Sequence, residues 1–369
     1  MKRILLAIIA IFLLASPLWA TTWYAQDGSG NMSTRNWNDA SGGGGTPLVW
    51  ALRSAGDVFV ANAQTGIVVD VDPGVSGSAV TLSTATSGGG FTITTGTITV
   101  TANITGGTTD CLVITGGTVT IPGGVTITGG SANGADGIFV NGANITFNVG
   151  SSGNPVTLSG TGGAGSNNTI FLNYTSPSSA TIYCTGTAGA SNFGQVIQTA
   201  GANAGTVIIN GNITGGSGGT AYGLIHAGSW NLTLNGNCIG GSGNSSHGCY
   251  NNSSTGILTV NGKCIGGSHI RNTGCYGDTT STGYIDLVGS VENTPTSTGI
   301  WGKVKWTPGT LYSDFRYIKL WNGGTDYKYA AIVPNIEDVE TGTTYGWDGS
   351  ASYTGTLSGG AVGGGAWGF

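Results

Sequence analysis

A phrase repeats in this chain: "NGNCIGGSG" begins at Asn235 and "NGKCIGGSH" at Asn261. "GCY" also occurs twice, around Cys249 and Cys275. Repetition at one fixed interval means stacked structural units. The repeat extends well beyond the cysteines. Reading back two residues from a recurring glycine gives a column of Ile104, Ile127, Leu158, Cys184, Ile213, Cys238 and Cys264. A second column of Cys111, Ile138, Ile170, Val196, Leu224, Cys249, Cys275 and Ile300 keeps step with it. Between the two lies a third run of alternating residues, such as "GTVTI" from Gly117, "GTVII" from Gly205 and "GILTV" from Gly256. Short runs of period two, broken by Gly and Asn, are strands joined by tight corners.

Three short strands in about 25 residues describe one coil of a parallel β-helix. The expected fold class is therefore all-β: a solenoid of about eight regular coils, with an N-terminal cap and a β-rich C-terminal cap. Composition agrees. Gly supplies 71 of 369 residues and charged residues only 7%, but the β-branched residues alternate too regularly for a disordered chain. Asn210, Asn235 and Asn261 each precede a Gly at a strand exit. Asn tolerates a corner backbone, so these three are expected to stack and to bond along the axis through their amides.

The expected segments follow. Residues 1–20 read as a signal peptide: Lys2 and Arg3, a short apolar run from Ile4 to Leu14, then small residues before a cut near Ala20. Residues 21–75 read as an N-terminal cap and 76–306 as the parallel β-helix. Residues 307–337 read as an aromatic C-terminal cap, with a hairpin turning at "NGGT". Residues 338–369 read as a small β module and a Gly-rich tail. No later stretch is long and apolar enough for a membrane span. The expected location is secreted or at the cell surface, with a periplasm as the other option.

The coil size and three-strand rhythm resemble right-handed parallel β-helix proteins of the pectin-lyase-like type. So does the N-terminal pattern carried by Tyr24, Asp27, Gly28, Trp50, Ala55, Gly56, Asp57 and Val58. The resemblance covers roughly residues 22–306 and implies the fold. It does not fix a function, since lyases, hydrolases, adhesins and tail spikes share it. None of the family's catalytic motifs maps onto a residue here.

Charge narrows the functions. Without Lys2 and Arg3 the remaining bases are well outnumbered by 16 acidic residues, and no Lys or Arg occurs between Arg53 and Lys263. Nucleic acid is therefore a poor partner, and so are acidic polysaccharides without a bridging metal. Asp110, Asp136 and Asp278 are the only acids that fit catalysis. Asp110 and Asp136 are weak calcium candidates, with solvated corner residues as the plainer reading. No cofactor is expected.

Cys184, Cys238 and Cys264 replace aliphatic residues in one column, and Cys111, Cys249 and Cys275 in the other. Pieces of wall or disulfide staples are favoured over a metal site, because no second ligand sits at zinc spacing. Stacked equivalents lie ~4.8 Å apart, which makes Cys238–Cys264 and Cys249–Cys275 the expected pairs.

The expected function is a structural or adhesive β-helix that binds neutral polysaccharide or a cell-surface glycan without catalysis, alone or as a homo-oligomer. Trp301, Trp306, Tyr312 and Trp321 are the expected stacking residues. A lyase or glycoside hydrolase of the same fold is the alternative. Ice or mineral binding by a Thr-rich face ranks lower, since no strict T-x-T ladder is visible coil after coil.

Overall fold

The computed structural model describes residues 20–302 except 27, 29, 76–77, 86–87, 162–166, 176, 191–193, 203–204, 270, 279–281, 293–296 and 298. Further on it describes the strands 304–306, 317–321, 327–331, 344–347 and 351–354. The predicted leader, Asp27, Tyr312 and the Gly-rich tail lie outside the described residues.

The chain winds into a β-solenoid of about eight turns, with coils roughly 27 residues apart. Each regular coil supplies one strand to each of three walls. Leu112–Ile114 lies in the first wall, Gly117–Ile121 in the second and Thr126–Thr128 in the third. The next coil repeats this with Ile138–Gly142, Ile145–Val149 and Val156–Ser159, each paired in parallel with its predecessor. The first wall is an 11-stranded sheet. The other two walls merge into one 20-stranded sheet, because Ser179–Thr187 runs through both without a corner.

Period two decides what faces inward. Ile104, Ile127, Leu158, Ile213 and Cys238 follow one another down the third wall, each 1% exposed or less. Leu112, Ile138, Ile170, Ile197, Leu224 and Cys249 do so down the first. Burying each such aliphatic side chain contributes about 1.5–3 kcal/mol. The register departs from the sequence columns at three places. Gly186, not Cys184, pairs with Leu158 and Ile213, while Cys184 pairs with Val156. Ile197 rather than Val196, and Leu112 rather than Cys111, occupy the first-wall column. Glycine marked a corner in most coils but is an inward wall residue in "YCTGT", so counting back from it misplaces Cys184.

The corners hold as expected. Asn235 Nδ2 donates to Asn210 Oδ1 at 2.9 Å, and Asn261 Nδ2 to Asn235 Oδ1 at 2.7 Å. Glycine is required where successive turns touch. A Cβ on Gly241 would stand 2.1 Å from the Gly216 carbonyl oxygen, and one on Gly216 would stand 2.0 Å from that of Gly189.

The cysteine columns stack as expected, Cys238 against Cys264 and Cys249 against Cys275. The bonds run the other way. Cys238 joins Cys249 and Cys264 joins Cys275, with Cα–Cα distances of 5.5 and 5.4 Å. The expected cross-coil pairs are therefore corrected to within-coil pairs. Inward residues on neighbouring parallel strands have side-by-side Cβ vectors, ~4.8 Å apart, wider than a disulfide's Cβ–Cβ separation. Residues on two converging walls point at each other. In the preceding coil Ile213 and Leu224 hold the same two places, so each disulfide replaces an aliphatic pair. Cys111 and Cys184 are free and buried.

Stacking begins earlier than the repeat shows. Val58–Val60 already pairs in parallel with Thr81–Ser83, and Thr22–Tyr24 with Val58–Val60. Asp57, 1% exposed, ties this start together: its carboxylate accepts from the Thr21 and Ser54 N–H groups and from Trp23 Nε1, at 2.8, 2.8 and 2.9 Å. Trp37, Phe59 and Phe91 pack beneath, with Trp37 edge-on to Phe59 at 4.9 Å. Residues 309–369 form a separate compact unit. It contains the expected hairpin, Tyr317–Trp321 against Tyr327–Ala331, and a second, Thr344–Trp347 against Ala351–Thr354.

Candidate functional site: an aromatic ridge on the first wall

Residues that alternate with the inward column point out of the first wall. In register they are Val113, Phe139, Phe171, Gln198, Ile225, Tyr250 and Tyr276. The backbone of Trp301 continues the line. The aromatic members are partly exposed. Rings one coil apart fall at a spacing that suits offset stacking. Phe139 stacks on Phe171 at 5.3 Å between centroids, and Tyr250 on Tyr276 at 5.0 Å, both with an interplanar angle of 26°.

A second column reinforces the lower end. Two places before the inward residues of the first wall stand Asp110, Asp136, Asn168, Gln195, Tyr222, His247 and Thr273. Tyr222 lies parallel to His247, 5.5 Å away at 4°, and tilts against Tyr250 at 5.2 Å. His247 stacks on Tyr276 at 4.7 Å. Four rings from three coils thus form one continuous surface.

The rings of this surface stay neutral at neutral pH. Burial raises the Tyr250 phenol, and Asp278, Tyr276 and Tyr222 push it the same way; a hydrogen bond joins it to Asp278. Tyr276 is raised by burial and by Asp278, and Tyr222 by burial and by Tyr276. All three phenols keep their protons at neutral pH and act as donors and stacking faces. His247 is pushed down to about 3 by burial. Its Nδ1 lies 3.2 Å from the Thr273 N–H that donates to it and 3.0 Å from the Thr273 hydroxyl. The ring is neutral, and the nitrogen without a proton is already taken, so it is no general base. His226 is likewise a structural residue. Burial lowers it to about 4. It lies between the Thr199 hydroxyl at 2.8 Å and the Trp230 carbonyl at 2.7 Å.

Of the predicted stacking residues, Trp301 alone has a backbone in register with the ridge. Trp306 pairs with the inward-facing Leu287 on the second wall. Trp321 belongs to the hairpin of the second unit, and Tyr312 lies outside the described residues. Asp110 and Asp136 do stack: the Asp136 N–H donates to Asp110 Oδ1 at 2.8 Å. Burial lifts Asp136 to about 7, against the opposing bonds from Asn168, and also raises Asp110. Asp278 sits instead at the aromatic patch, so the three acids are not one cluster. Tyr250 and Tyr276 were not among the predicted stacking residues, although the repeated "GCY" carried the signal.

No protein-family model, curated protein or solved structure matches this chain. Among the described residues no helix is long and apolar enough to cross a membrane.

Proposed function

We propose that this is an exported β-solenoid of the pectin-lyase-like type that acts by adhesion, laying neutral glycan along the aromatic ridge. The stack of Tyr250 on Tyr276, flanked by Tyr222 and His247, carries this reading. Sugar rings bind by stacking on such faces, with phenols and nearby amides supplying hydrogen bonds. Two disulfides in adjacent coils support export, because such bonds persist in oxidising compartments. The lyase or hydrolase alternative needs a pair of acid and base groups flanking one sugar, and among the described residues the aromatic patch brings in a single carboxylate, Asp278. The test is retention of the protein on a panel of neutral and acidic polysaccharides, with released sugar ends scored in the same tubes. Tyr276→Ala should abolish retention and Lys263→Ala should not. Retention unchanged in Tyr276→Ala would reject the ridge, and product release would reject a purely adhesive role.

One observation favours a second reading. The register builds the T-x-T ladder that the sequence spacing hid. On the third wall Thr126 and Thr128, Thr157 and Ser159, and Thr185 and Thr187 line up in successive coils, and Thr105 and Thr214 extend one column. On the second wall Thr97 and Thr99 lead to Thr118 and Thr120, then to Thr146 and Asn148. The hydroxyls repeat every ~4.8 Å along the axis and every ~6.6 Å along the strand. An ordered lattice such as ice fits a surface of this kind. Partition of the protein into growing ice, lost in Thr157→Lys, would favour it over glycan.

A further inference from the structure

Where the corner column passes from Asp136 to Gln195, it gathers oxygen atoms that have no donor. Asn167, Asn168, Thr169 and Gln195 are each 3% exposed or less. Asn167 Oδ1, Asn168 Oδ1, Thr169 Oγ1 and Gln195 Oε1 have no hydrogen-bond partner among the described residues. A lone buried acceptor costs about 1–3 kcal/mol, so Asn168 Oδ1 and Gln195 Oε1, which belong to residues in register on adjacent coils, call for an electropositive partner. These side chains are tied to the carboxylate column. The Asn168 backbone N–H and Nδ2 both donate to Asp136 Oδ1, at 2.9 and 2.8 Å. Asn168 pairs directly with Gln195 in the next coil. Asp136 in turn stacks on Asp110. No Lys or Arg between Arg53 and Lys263 is present to balance the two acids.

We propose that this corner is a calcium site, with the second carboxylate oxygen of Asp136 and the side-chain carbonyls of Asn168 and Gln195 as its protein ligands. The donor set is all oxygen, mixed in charge and drawn from three coils. That suits the irregular coordination of Ca²⁺ better than the strict octahedron of Mg²⁺. The corner loops of three successive coils would then be clamped by one ion, as stacked coils allow. The site lies on the same column as Tyr222 and His247, but its chemistry does not depend on the glycan reading.

The experiment is calorimetric titration of the EDTA-stripped, full-length protein with CaCl2, with MgCl2 in a parallel cell, and thermal unfolding of the same samples. One Ca²⁺ per chain is expected, at about the 10⁻⁴–10⁻³ M affinity of extracellular modules, with much weaker Mg²⁺. The unfolding midpoint should rise with CaCl2. Gln195→Leu removes one ligand with little change in shape and should abolish both the heat and the rise. Asp136→Asn should do the same; should it fail to fold, Gln195→Leu still decides. No heat and no shift in the wild type would overturn the proposal. So would a titration that Gln195→Leu leaves unchanged. Glycan retention measured in EDTA reports on the ridge alone, so the two ideas fail separately.

Discussion

The within-coil disulfides make a prediction that one digest can decide. Trypsin cuts after Lys263 and Arg271, and the next lysine is Lys303. Cys238 and Cys249 therefore share one long peptide, Cys264 lies on the short peptide 264–271, and Cys275 on 272–303. With Cys264 bonded to Cys275, the non-reduced digest should show 264–271 joined to 272–303 and the long peptide free of both. Cross-coil pairing would attach both small peptides to the long one, and that result would refute the converging-wall argument. Energy gives the second half of the test. Each bridge spans 11 residues of sequence, and restraining a loop of that size in the unfolded chain is worth about 3 kcal/mol on the chain-entropy model. Cys264→Ala with Cys275→Ala should lower the stability of the C-terminal coils by roughly that amount in urea. Coils contact only their neighbours, so hydrogen-exchange protection near Ile127 should stay unchanged. A loss shared evenly along the chain would refute the local account.

Further outcomes follow from the same structure. Burial lifts the Cys111 and Cys184 thiols to about 12, so neither should react with iodoacetamide at pH 8 until the chain is unfolded; fast native labelling would contradict their placement. His226 stays neutral when folded, near 4 against 6.5 unfolded. As pH falls below 6.5 the unfolded chain takes up the proton first, and stability is lost until pH passes about 4. The advantage of wild type over His226→Gln should shrink by about 2 kcal/mol between pH 7.5 and 5, and a constant difference across that range would count against a neutral buried ring. Gly241→Ala pushes a methyl into the backbone of the coil before it and should cost about 1–3 kcal/mol in urea. Gly153→Ala, with nothing within 4 Å, is the control and should cost little. Equal effects would show that coil contact is not what selects glycine.

The sequence by itself determined the coil. Period-two alternation and a recurring corner are local properties, and they set three strands per turn, the inward columns and the amide ladder of Asn210, Asn235 and Asn261. The aliphatic places that Cys238, Cys249, Cys264 and Cys275 fill were readable for the same reason, while those of Cys111 and Cys184 were not. Only the tertiary structure decided what depends on direction and register. Spacing placed the four cysteines at neighbouring levels, but the angle between two walls chose which sulfurs meet. Successive Ile127, Leu158 and Gly186 sit at unequal intervals in sequence yet at one level step in space, because corner loops absorb extra residues. That unequal spacing hid the Thr126–Thr157–Thr185 line. It also hid how the Asp110–Asp136 pair continues to Thr273, in the column on which both the aromatic patch and the proposed calcium corner stand.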